Sequence, residues 1–309
     1  MIKARNKKEL INLINSTIQK EGYTADLNFI DTSHIRSMSD LFANSDFNGD
    51  ISNWDTSRVT NIEGMFRGSQ FNGDISRWNT SGIKDMSRIF YKSKFNGDIG
   101  KWNTGNVINM NSMFAMSRFD GDISKWNTIN VRNMDWMFEE SPFNRPIGRW
   151  NVENVTSMRG MFCDNIKFNK DISKWNTGSV MDMAYMFQGT TFDRPIGDWN
   201  TGKVKDMAWM FYNSKFNQDI GNWNTGNVQS MFWMFAYSIF NKSIENWNTI
   251  KVRSMEYMFE NSQFNQDIGD WNILGLKTSK VNLFANSKFN KNIYQWKLQR
   301  PDIDFNIDN

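Results

Sequence analysis

The sequence predicts an α/β repeat solenoid of about eleven stacked copies of 24–25 residues, each a short strand followed by a short helix. Three observations lead there. A phrase of the form F-[ND]-x-[DPSN]-I-x-x-W recurs along the chain, with tryptophans at Trp54, Trp78, Trp102, Trp126, Trp150, Trp175, Trp199, Trp223, Trp247, Trp271 and Trp296, 24 residues apart except for two steps of 25. The second half of each copy reads V-x-[NDS]-M-x-x-M-F-x-x-S, with apolar residues at helical spacing. A single copy is also too small to be stable alone. Its core candidates, such as Val59, Ile62, Met65, Phe66, Phe71, Ile75 and Trp78, contribute roughly 1.5–3 kcal/mol each if fully buried. Ordering the backbone costs on the order of 1–2 kcal/mol per residue, so the copies must cover one another.

Residues 1–26 are expected to form an N-terminal helical cap, because Leu10, Ile11, Leu13, Ile14 and Ile18 recur near helical spacing. The repeats occupy 27–296, and 297–309 is the candidate C-terminal cap or tail. Within each copy the F-N-x-D-I stretch is short, aromatic and β-branched, which predicts a brief strand. Gly49, Gly73, Gly97, Gly121, Pro146 and Pro195 imply bends beside it. In the copy at 131–141, Met134, Met137, Phe138 and Ser141 share one face of a predicted helix. The residue before the first methionine is Ser, Asn or Asp in every copy, from Ser37 and Asn61 to Ser254 and Ser279, and each is a good N-cap.

Formal net charge is +3, so no whole-molecule field points to nucleic acid or to anionic lipid. The lone Cys163 excludes an internal disulfide, and the lone His34 excludes the usual zinc and catalytic clusters. No nucleophile elbow, phosphate loop or metalloprotease motif occurs, so the chain is expected to be no enzyme and to need no cofactor or metal. The N-terminal stretch lacks the apolar run of a secretory signal, and nowhere do about 18 apolar residues run together. A cytoplasmic protein without a membrane span is the expectation.

The string W-[ND]-T-x-x-V-x-x-M-x-x-M-F-x-x-S-x-F-N-x-D-I resembles the BspA-like leucine-rich-repeat family, in its tryptophan-rich form a mycoplasmal-lipoprotein-type repeat of unknown function. The likeness covers about residues 27–296. It implies a leucine-rich-repeat-like solenoid in which methionine, phenylalanine and tryptophan replace most leucines. Family members include surface proteins, adhesins and binding scaffolds, which makes the cell surface the alternative location. Surface members carry export signals or lipidated cysteines, and this sequence shows neither, which keeps the cytoplasm as the first expectation. The family has no shared catalytic residues to carry over.

Partner recognition is expected where the copies differ. Two residues after the first methionine lies a slot that a helix would turn away from the core, occupied by Gly64, Arg88, Ser112, Trp136, Gly160, Tyr185, Trp209, Trp233 and Tyr257. Trp136, Tyr185, Trp209, Trp233 and Tyr257, joined by Phe232 and widened by Tyr212 and Tyr237, form either a protein-binding stripe or a set of rings packed only on one another. Stacking of sugar rings on the stripe is the alternative binding reading. A second column, Arg77, Lys101, Lys125, Arg149 and Lys174, is either a contact for an acidic partner or a solvated face. Asp50, Asp74, Asp98, Asp122, Asp171, Asp219 and Asp267 lack calcium-loop spacing and are expected to accept turn amides.

Overall fold

A computed structural model describes residues 1–278 and 281–305, in two compact units, Met1–Asn151 and Val152–Asn309. The first unit begins with strand β1 (Ile2–Lys3), which pairs in parallel with β2 (Ile30–Asp31), Ile2 opposite Ile30. Between them runs helix α1 (Lys7–Glu21). The Asn6 side chain accepts the Glu9 amide at 3.0 Å, and the Glu9 carboxylate accepts the Arg5 amide at 2.9 Å. This reciprocal arrangement satisfies donors that a helix start leaves open. Leu10, Ile14 and Thr17 face the interior. The Lys7 ammonium donates to the carbonyl and hydroxyl of Ser39, closing the outer edge of the first copy.

The repeats depart from the expected strand and helix. Among the described residues no copy contains an α-helix in its Met-Phe segment. The segment is instead a run of overlapping turns. In the first copy Leu41, Ala43 and Ser45 donate to the carbonyls of Met38, Asp40 and Phe42, each closing a three-residue step. The alternate amides of Met38, Asp40, Phe42 and Asn44 leave the copy and donate to Asn61, Glu63, Met65 and Arg67 of the next, at 2.6–2.9 Å. The same pattern recurs from copy to copy inside each unit, for example Met207, Trp209, Phe211 and Asn213 onto Ser230, Phe232, Met234 and Ala236.

A helix is ruled out by the backbone. The residue two after the first methionine has φ between 51° and 62° in every copy from Asp40 to Tyr257. The residue four further on, from Asn44 to Asn286, has φ between 46° and 66°. Left-handed residues at this interval break any right-handed helix. The expected N-caps still cap: Asn61, Asp85, Asn109, Asp182 and Asp206 accept the amide two residues ahead, but they cap a turn. Ser279 lies outside the described residues, as do the last four residues of the tail. Among the described residues the F-N-x-D-I stretch carries no regular strand; apart from Asp26 with Asp50, isolated parallel bridges fall at the capping residue, as in Ser37 with Asn61 and Asp182 with Asp206.

Burial follows the repeat closely. Met134, Met137, Phe138 and Ser141 are all interior, and the same columns are buried throughout. Phenylalanines stack along the copies, Phe66 on Phe90 at 5.8 Å and Phe187 on Phe211 at 5.8 Å, with a closer partner inside each copy, such as Phe90 and Phe95 at 4.1 Å. Each repeat tryptophan from Trp54 to Trp150, and from Trp199 to Trp271, donates Nε1 to the isoleucine or leucine carbonyl 27 residues earlier at 3.0–3.2 Å. Within each unit, asparagine or aspartate after a repeat phenylalanine accepts the matching amide of the next copy, as Asn48 does from Asn72 and Asn217 from Asn241. Polar side chains thus complete the ladder where the main chains do not pair.

The second unit ends in helix α2 (Tyr294–Gln299). This helix buries Trp296 completely, and Phe305 packs on that ring at 5.6 Å. Asp304 accepts the Val281 amide at 2.8 Å, supplying an acceptor to the last copy.

Candidate functional site

The variable slot is the first left-handed position of each copy. At such a position a side chain costs on the order of 1–2 kcal/mol relative to glycine. Gly64 and Gly160 meet the demand without cost, whereas Trp136, Tyr185, Trp209, Trp233 and Tyr257 are bulky aromatics on the same backbone. Their rings are half-buried rather than turned fully outward.

In the second unit the rings form one continuous stack. Tyr185 lies on Trp209 at 5.8 Å, Trp209 on Trp233 at 5.0 Å and Trp233 on Tyr257 at 4.9 Å, with interplanar angles of 7°, 5° and 29°. Phe232 fits edge-on against Trp209, Trp233 and Tyr257 at 6.1–6.2 Å. On the opposite flank Tyr212 tilts against Trp209 and Trp233 at 4.6 and 5.6 Å, and Tyr237 runs parallel to Trp233 at 6.1 Å. Five of the six residues anticipated for the stripe therefore meet. Trp136 belongs to the first unit. There it borders a surface groove of about 560 Å³ with Gly64, Arg88, Tyr91 and Ser112, whose walls hold ion pairs between Arg67 and Asp40 and between Arg88 and Glu63.

Charged neighbours of the stack were not legible in the repeat pattern. Arg159 precedes the slot glycine Gly160 and lays its guanidinium over Tyr185 at 4.8 Å, where a ring would otherwise sit. Asp182 and Asp206 hold it at 3.2 and 3.5 Å. Burial pushes the Asp206 carboxyl above its ordinary range, and the neighbouring Asp182 adds to this against the opposing Ala208 amide and Arg159. At the Tyr257 end, Glu260 stands near Tyr212 and Tyr237. Burial raises its carboxyl, opposed by hydrogen bonds from Tyr237 and Asn261. Burial also raises the Tyr212 phenol, with Tyr237 and Glu260 contributing.

The basic column is exposed: Arg77, Lys101, Lys125 and Arg149 in the first unit, Lys174 in the second. Beside it, Asp74, Asp98, Asp122 and Asp171 accept amides two residues ahead at 2.9 Å. These bonds hold Asp74 and Asp122 below their ordinary range, with smaller contributions from Arg77 to the former and from Lys125 and Arg145 to the latter. The lysines and arginines thus alternate with carboxylates and do not form an isolated positive strip.

Among the described residues no group of three or more His, Cys, Asp or Glu side chains is placed to hold a metal, and no helix is long and apolar enough to cross a membrane. Against known families, the sequence model described as "Mycoplasma protein of unknown function, DUF285" matches in four overlapping stretches, residues 12–118, 70–153, 139–239 and 213–304. The chain belongs to the DUF285 family. The overlapping matches follow the tandem copies, which supports repeat character for this DUF285 protein. No curated relative and no solved structure matches it.

Proposed function

We propose that this DUF285 protein is a non-enzymatic scaffold, a leucine-rich-repeat-like solenoid of the BspA-like type, that binds another protein through the aromatic stack of its second unit. The observation that carries the reading is the placement of Tyr185, Trp209, Trp233 and Tyr257 on left-handed backbones where glycine serves other copies. A strained position filled with large rings calls for a compensating role, and half-buried Trp and Tyr are the side chains that anchor protein interfaces. Stacking on sugar rings is the alternative, adhesin-like reading. It is less well supported, because Trp209 and Trp233 each have both faces covered by neighbouring rings and offer mainly their edges.

The test is affinity capture with the intact chain and with a Trp209→Gly, Trp233→Gly variant, which copies the residue already used at Gly64 and Gly160. A protein retained by the intact chain and released by the folded variant is the expected result. Unchanged retention removes this surface from consideration, and retention of glycans alone favours the adhesin reading.

A further inference from the structure

The proposed protein-binding role leaves the chemistry of the partner open, and the charges around the stack narrow it. The columns flanking the rings, the third and first residues before each slot and the third and fourth after it, carry Asp164, Asp182, Asp206, Glu256 and Glu260 against one cation, Arg159. Lys205 and Arg253 lie exposed one residue outside those columns. This face is therefore acidic on a chain whose net charge is +3.

The two ends of the stack are chemically unequal. At the Tyr185 end a guanidinium covers the terminal ring and is held by two carboxylates. The Tyr257 end has the same ingredients except the cation: rings from Tyr212, Tyr237 and Tyr257, and carboxylates from Glu256 and Glu260. Among the described residues no ion pair involves either glutamate. Glu256 is engaged by the Ser254 hydroxyl, and one oxygen of Glu260 by Asn261 at 3.2 Å. The other oxygen of Glu260 is shielded from solvent, and among the described residues the further donor beside the carboxylate is the neutral Tyr237 phenol. A shielded carboxylate with neutral donors alone is costly, and a cationic donor from outside relieves that cost.

We infer that the stack takes a lysine- or arginine-bearing segment of a partner protein, with one cationic head seated against Glu260 and its stem along the edges of Tyr212 and Tyr237, and a second cationic head reaching Glu256 on the Phe232 side of Tyr257. The inference rests on the reading that this face binds protein. Like Arg159 at the other end, the partner's cation pairs with carboxylates that stand beside the rings.

The probes are two dodecapeptides of equal length, one alternating arginine with serine and one with glutamate in place of each arginine, titrated by calorimetry and by tryptophan fluorescence. The expected result is saturable 1:1 binding of the basic peptide only, weakened at least about ten-fold by Glu256→Gln with Glu260→Gln. The isosteric Asp74→Asn with Asp98→Asn, which removes the same charge from another face, leaves the affinity unchanged. Equal weakening by both pairs overturns the proposal, because general attraction then explains the binding. Binding of the acidic peptide, lost in the Trp209→Gly, Trp233→Gly variant, overturns the cationic partner while keeping the surface. Absence of saturable binding by either peptide overturns the inference alone, and affinity capture then decides separately whether the stack binds protein.

Discussion

The indoles of Trp209 and Trp233 lie 5.0 Å apart and 5° from parallel, each on a left-handed residue. Replacing both by glycine removes stacking worth about 0.5–1.5 kcal/mol per ring pair beyond the buried area, and relieves about 1–2 kcal/mol of backbone cost at each site. The relief covers only part of the loss, because the two indoles meet several rings and also bury apolar area. The expected outcome is a lowered thermal midpoint with the cooperative transition retained, and loss of the coupled-indole signal in circular dichroism. A midpoint drop of tens of degrees would show that the stack is principally a structural prop.

Glu140→Gly separates the turn cascade from a helix by sign. In a helix the change destabilises by about 1 kcal/mol relative to a good helix former. At Glu140, an exposed residue with φ of 46°, it is expected to stabilise by roughly 1 kcal/mol, measured by urea unfolding.

Trp199 and Trp296 occupy the same column but differ in one bond. The Nε1 of Trp199 donates to Ile172 at 3.2 Å, whereas that of Trp296 is buried without an acceptor among the described residues. Trp199→Phe removes one of two donors to the Ile172 carbonyl, which keeps the Trp175 amide, and is expected to cost about 0.5–1.5 kcal/mol more than Trp296→Phe. Equal losses in denaturant titration would refute a stabilising part for the indole ladder.

The aspartates that accept turn amides are expected to contribute to the acid limb of stability. Their folded pKa values are lowered, first by the Ser76 amide at Asp74 and the Ser124 amide at Asp122, so the stabilisation is complete above the ordinary value of 3.8 and is lost as pH falls below it. Asn292 already fills this column and caps Tyr294 at 2.8 Å. Asp74→Asn with Asp122→Asn is therefore expected to leave the midpoint at pH 7 nearly unchanged and to flatten its decline below about pH 4. An unaltered acid limb in calorimetry would contradict that origin.

Much of the fold was legible because the tryptophan and phenylalanine columns are buried where the spacing put them, and the copy length was read directly. The backbone of the Met-Phe segment was not. Turns closing every three residues place Met134, Met137 and Phe138 on one side just as a helix does, so burial period alone cannot distinguish them. The distinguishing signal was partial: the column holds Gly68, Gly189, Asn44, Asn213, Asn261 and Asn286, residue types that tolerate positive φ, but also Lys92, Met116, Glu140 and Tyr237, which do not advertise it. At the candidate site the ring column was readable, but the grouping of Glu260 with Tyr212 and Tyr237 was not. Those three come from three copies, Tyr212 and Glu260 from one column and Tyr237 from the next, and only the turn geometry brings them together.

The one-way hydrogen bonding of the Met-Phe segment constrains how such a chain lengthens. Along that segment, within each unit, alternate amides of a copy face forward and the receiving carbonyls face back. An inserted duplicate in the same orientation finds both sets of partners, while an inverted one would oppose donor to donor. Tandem duplication preserves orientation by its nature, so gene-level copying and backbone chemistry favour the same kind of growth.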